Sequence, residues 1–280
     1  MRGLAYIMLL VLTACSVSVP DDTDPDVVLA FQPVVSPMTK GDGLADLSVG
    51  VSAWTLDKDL DWIYGCEAGE YFRDSRVVPD SDDRWYLEDR MIWPSKNERL
   101  TVIGYAPYEA AESCCSVYGV KFVNVKVLED QTDLLFTAPD ADADKHSSGG
   151  LVTLPLQNAL CKLDFKVRSR VGLSEKVEIK RIILDKASYE GDFRSLPQPE
   201  WNPSGEVEDV EFVEDIPRLM IPQRLNSTVT VEFEYTNAAG LSIMQSLKTS
   251  VIEKELKCGH HYTFILSVGV DDVKFLLEIL

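Results

Sequence analysis

The chain has 280 residues, 45% of them hydrophobic, and 46 acidic against 27 basic side chains give it a formal charge of −19 at pH 7. That length and apolar content suffice for two domains with buried cores. The charge excludes a nucleic-acid partner, which needs a basic footprint, and electrostatic docking to anionic lipid; it favours solubility and mutual repulsion of free copies.

Met1 and Arg2 make a minimal positive n-region ahead of the apolar run 4–12, which suits a signal-peptide core and is too short to span a bilayer. The run ends in Leu12-Thr13-Ala14-Cys15, which resembles the bacterial lipobox. Residues 1–14 are therefore expected to be a signal peptide. Cys15 is the expected lipidation site, whose acyl chains (palmitate and the like) hold the chain on a membrane through buried methylenes. Residues 15–26, with Asp21, Asp22, Asp24, Pro25 and Asp26, read as an acidic tether unable to bury a core.

From there the pattern is short alternating runs between polar turns, the signature of an all-β chain. Residues 27–31 predict a first strand with Val27, Leu29 and Phe31 on one face, which Pro33 must end or confine to an edge. Residues 47–56 predict a second, with Leu47, Val49 and Val51 together. Acidic loops follow at 57–61 and 80–83. Residues 100–105 and 117–128 predict further strands, and 109–116 carries the one helical hint. The Asp, Ser and Gly residues of 139–150 read as a loop.

The second set opens at 151–154 and continues in 160–167, a long run of strict alternation in which Cys161 reads as a small core residue. Strands are expected at 177–184, 229–235, 262–268 and 273–280, whereas 188–209, with Pro197, Pro199 and Pro203, reads as turns. The last run places Phe275, Leu277 and Ile279 on one face. Nothing alternates helix with strand, and no repeat is visible. The expected architecture is two β-sandwich domains, 27–166 and 167–280.

Chemistry leaves few marks. With Cys15 assigned to lipid, Cys66, Cys114, Cys115, Cys161 and Cys258 make an odd set without a repeated spacing, so no disulfide framework is predicted, although one or two bridges stay compatible with an oxidising compartment. His146 lies in a loop with no carboxylate to orient it. His260 and His261 are adjacent and would point to opposite faces of a strand. Asp140, Asp142 and Asp144 imitate the start of a calcium loop, but Lys145 stands in place of its glycine and Leu151 in place of its bidentate glutamate. No catalytic residues, metal site or cofactor are predicted, and the role is expected to be non-enzymatic.

Several fragments do point to a family. Ser36-Pro37-Met38-Thr39-Lys40-Gly41 follows the first strand as a Thr-Arg/Lys junction does in fimbrillins. Trp93-Pro94-Ser95, followed by Leu100-Thr101-Val102-Ile103-Gly104-Tyr105-Ala106-Pro107-Tyr108, is similar to their Trp-Pro and Tyr-Ala block. Thr132-Asp133-Leu134-Leu135-Phe136-Thr137-Ala138 and Leu154-Pro155-Leu156-Gln157-Asn158-Ala159-Leu160-Cys161-Lys162-Leu163 resemble two later stretches. Gly259-His260-His261-Tyr262-Thr263-Phe264 is similar to the opening of a late strand. In this order the fragments resemble the fimbrillin-like pilus subunits of the Bacteroidales. The departure lies after Leu266, where many members carry a longer pair of strands.

The resemblance implies two transthyretin-like antiparallel β-sandwich domains in tandem, in a lipid-anchored protein of the outer membrane and cell surface, whose partners are other pilin subunits. It implies protease removal of the first strand, for which Lys40 is the candidate cut site. A neighbour's strand would then fill the groove, with 273–280 either donating to a neighbour or closing its own sheet. The surface ligand of such an adhesin is left open. The alternative is a surface glycan-binding lipoprotein that uses tryptophans as stacking platforms, Trp62 and Trp85 being the better exposed candidates and Trp93 the expected core residue.

Overall fold

The computed structural model describes residues 27–35, 47–57, 69–81, 84–94, 98–110, 115–116, 118–137, 142–143, 149–170, 177–205, 207–237, 239–269 and 271–279. Cys15, Lys40, Trp62, Asp140, Asp144 and His146 lie outside these residues.

The first ten strands are β1 (Ala30–Val35), β2 (Val49–Asp57), β3 (Gly69–Pro79), β4 (Trp85–Leu87), β5 (Glu98–Ala106), β6 (Cys115–Ser116), β7 (Gly119–Lys126), β8 (Leu135–Thr137), β9 (Asp142–Ala143) and β10 (Leu151–Asn158). Most of them join one sheet in the order β2-β3-β4-β1-β10-β8-β5, and β5 pairs back with β2, so the sheet closes on itself. Leu29, Phe31, Val49, Val51, Leu100, Val102, Leu135, Val152 and Leu154 fill its interior.

The next twelve are β11 (Cys161–Ser169), β12 (Val177–Ala187), β13 (Glu190–Arg194), β14 (Glu200–Ser204), β15 (Glu208–Phe212), β16 (Arg218–Met220), β17 (Arg224–Ser227), β18 (Val229–Thr236), β19 (Ser242–Lys248), β20 (Ile252–Glu255), β21 (His261–Val268) and β22 (Val273–Ile279). Two four-stranded sheets, β16-β11-β21-β22 and β15-β12-β18-β19, share a second core. Phe165 is central there, packed edge-on against Phe212 of the facing sheet (4.8 Å between centroids) and against Phe264 of its own sheet (5.4 Å). β11 runs across the expected boundary at 166/167, and Cys161, Leu163 and Phe165 all belong to this second core.

A third cluster lies between the two assemblies. Trp54, Ile103, Tyr105 and Phe136 reach it from the outer face of the closed sheet, and Leu160, Leu219 and Ile221 from the other side. β2, β5 and β8 are thus buried on both faces, and every residue of 100–106 is buried. A sheet ordered β14-β13-β7-β6 covers this cluster with Val120, Phe122, Phe193 and Trp201, lacing a strand of the first half to a hairpin of the second.

Three local expectations differ from what is observed. The helical hint at 109–116 is a 3-10 turn over Tyr108–Ala110 followed by β6. The turn-rich stretch 188–209 holds β13, β14 and the start of β15, because Phe193 and Trp201 give the hairpin an apolar face. The first strand starts at Ala30 and passes through Pro33 to Val35.

Candidate strand-exchange site

Pro33 is accommodated by alternation. Along a strand, successive backbone N–H groups point to opposite sides. Leu29 N–H donates to the Met91 carbonyl (2.8 Å) and Ala30 N–H to the Gly150 carbonyl (3.0 Å) on the other side. Position 33 therefore faces the side of Leu29 and Phe31, where β4 contributes register partners only to Ala30 and Phe31. The missing N–H falls just past the end of β4, while β10 runs parallel to β1 over all six residues. Of the two expectations for Pro33, the second is the one observed: it does not end the strand but occupies a half-edge inside it.

β1 is consequently an inner strand over its first residues. Leu29 and Phe31 are 1% and 0% exposed, Val27 is half-buried, and the Val27 carbonyl accepts from Trp93 N–H at 2.8 Å. Gly150 was legible only as a loop residue, yet a Cβ there would stand 2.4 Å from Val27 Cγ1, and its φ of +87° lies in the left-handed region. The slot is walled by Trp85, Leu87 and Trp93 on one side and Val152, Leu154 and Leu156 on the other.

The C-terminal candidate is held differently. β22 pairs antiparallel with β21 from Val268↔Val273 to Tyr262↔Ile279 and ends its sheet. Val273 is buried, Phe275 is half-buried edge-on against Phe264 (4.8 Å), and Leu276 is 55% exposed. Leu277 and Ile279 are placed by register opposite Phe264 and Tyr262; their side chains lie outside the described residues.

A fimbrillin-like family model matches residues 40–279. The chain belongs to the fimbrillin-like family. Solved structures agree in fold. A fimbrial protein from Bacteroides vulgatus is 12% identical with a TM-score of 0.62, covering 90% of this chain and 98% of its own. Cell adhesion proteins, so described provisionally, from Bacteroides uniformis (13% identical, TM-score 0.59, 92% and 99% covered) and Bacteroides ovatus (14%, 0.56, 91% and 98%) show the same fold. No curated protein matches the chain.

For a fimbrillin-like chain, the tryptophans bear on the glycan alternative. Trp85, expected as an exposed platform, is 7% exposed: β4 begins at this residue, two positions past the acidic loop, and alternation turns it into the core. Trp93 is buried as expected, and so is Trp54. Trp201 borders an open cleft of about 580 Å³ but is itself buried, its indole N–H donating to the Ala159 carbonyl at 2.7 Å. None of these four rings presents a free face for a sugar.

Two histidines and two cysteines lie among the residues with described side chains. His260 Nδ1 lies 2.8 Å from the Cys258 carbonyl, and His261 Nε2 is 3.7 Å from Asp164 Oδ1. Among the described residues no three His, Cys, Asp or Glu side chains gather to hold a metal ion. Cys161 and Cys258 are free thiols; burial pushes both thiols up, Cys258 to about 11.

Proposed function

We propose that this fimbrillin-like chain is a structural or adhesive, non-enzymatic subunit of a cell-surface pilus that assembles with other pilin subunits by strand donation. In this reading the chain is exported, anchored to the outer membrane through lipid on Cys15, and cut at Lys40. β1 then leaves, and a neighbour's strand takes its place between β4 and β10.

The observation that carries the reading is the position of β1 inside a closed sheet. Loss of an inner strand exposes two strand edges and an apolar slot at once, and an incoming strand can satisfy both. Burying Leu29 and Phe31 contributes about 1.5–3 kcal/mol each, so an empty slot is strongly unfavourable and its refilling correspondingly favourable. β22 supports the donor role, since an end strand can leave without opening the rest of its sheet. The tandem arrangement proposed is one sandwich up to about Asn158 and a second from Cys161.

N-terminal sequencing of the assembled surface form tests this directly. A start at Gly41 is expected. A start at Cys15 in assembled material, with β1 still protected from proteolysis, overturns strand removal.

A further inference from the structure

β22 is attached at the residue that precedes it, Asp272, by more than its ladder. Ahead of β22 the Gly269 N–H donates to the Asp272 carbonyl at 2.8 Å. That carbonyl also accepts from Arg170 Nη2 at 2.7 Å, and the same nitrogen forms an ion pair with the Asp272 carboxylate. Arg170 belongs to neither strand of this hairpin. It follows directly on β11, and its backbone N–H donates to the Val268 carbonyl at 2.9 Å, extending the β11–β21 ladder by one residue. One residue therefore ties the end of β11, the end of β21 and the mouth of β22 together.

The fit is close. A Cβ built on Gly269 would stand 2.6 Å from Arg170 Nη2, 2.9 Å from Arg170 Cζ and 2.8 Å from Asp272 Oδ1. The φ of Gly269 is outside the left-handed region, so a side chain there would displace the guanidinium and the carboxylate and not strain the backbone. Arg170 Nε is buried without a partner, a cost that the contacts made by Nη2 have to offset. Charge-assisted bonds of this kind are roughly twice as strong as neutral ones and act at the turn end of the hairpin, the last part of it to open when β22 peels from Ile279.

We propose that Arg170 is a clasp that sets how readily β22 leaves its sheet, and that releasing it is the step that frees this strand for a second copy of the chain. The second half of the proposal rests on the reading of β22 as the donated strand; the first does not. β22 has one partner among the described residues, so peeling from Ile279 toward Val273 breaks a single ladder, and the clasp is what stops the peeling at the turn.

Hydrogen exchange of the amides of 273–279 in the purified monomeric chain tests it. Arg170→Ala removes the guanidinium; Gly269→Ala keeps both charges and crowds them apart. Both are expected to accelerate exchange in β22 by about tenfold relative to β12 and β18, with Arg170→Lys in between. Unchanged exchange in β22, or equal acceleration in β12 and β18, overturns the clasp. Assembly rate is measured in the same variants and is expected to rise several-fold. Faster β22 exchange with an unchanged assembly rate leaves the clasp standing and removes β22 as the donor.

Discussion

β1 and β22 are the two strands on which the proposed assembly turns, and they are held in opposite ways. β1 has β10 along its whole length and β4 at its start, with Leu29 and Phe31 fully inside. β22 has β21 alone and leaves Leu276 in solvent. A strand between two neighbours is part of what holds a sheet closed, so its removal creates an acceptor. A strand at the end of a sheet can detach while the rest of the core stays covered, which suits a donor. The contrast lies in the number of partners, not in hydrophobicity, since both segments are rich in apolar residues.

The contrast is broken most severely at Phe31. Phe31→Ala leaves a cavity at the centre of the closed sheet and is expected to cost about 3–5 kcal/mol, read as a shift of the denaturation midpoint. Should Phe31→Ala prove nearly neutral, β1 is not an integral strand. At the other end, Phe275→Ala removes a half-buried ring packed on Phe264, and about half that loss is expected. Deleting 273–279 should leave a folded monomer, by circular dichroism and size exclusion, that no longer assembles.

Acid should act on β22 before β1. The hydrogen bond from Arg170 holds the Asp272 carboxyl below its ordinary value of 3.8 against the opposing effect of burial, and Arg170 and Lys274 are the cations that face it. A depressed carboxylate contributes its stability above the unfolded pKa and loses it as pH falls through the folded one. Exchange of β22 amides is therefore expected to quicken, after correction for intrinsic rates, as pH drops below about 4. Asp272→Asn should abolish that dependence. The smallest effect is expected at Leu276: Leu276→Ser on the exposed face should change stability by about 0.5 kcal/mol or less, with no loss of folding.

Some of this was legible in the residues themselves. The alternation of Leu163 and Phe165 with Lys162 and Lys166 announced an inner and an outer face before any partner was known, and Trp93 beside Pro94 announced core. β19, Ser-Ile-Met-Gln-Ser-Leu-Lys, passed unnoticed because an end strand half-buries its inward residues and needs few apolar ones. Trp85 was misplaced because acidic neighbours suggest a loop, whereas one residue decides where a strand begins and which way its first side chain turns. Arg170, Gly269 and Asp272 left no mark, since Arg170, just past the end of β11, meets a turn about a hundred positions away.

The sequence by itself determined that this chain is built of strands, where ten of the twenty-two described strands run, and which of their side chains seek the interior, because apolar periodicity is a property of neighbours along the chain. Only the tertiary structure decided that β1 lies between β4 and β10, that Pro33 falls just beyond the reach of β4, that β7 pairs with β13 across the two halves, and that Arg170 meets Asp272. Strand pairing joins backbone groups that are nearly identical at every residue, so the choice of partner is made by the packing of the whole core and not by any local run of amino acids.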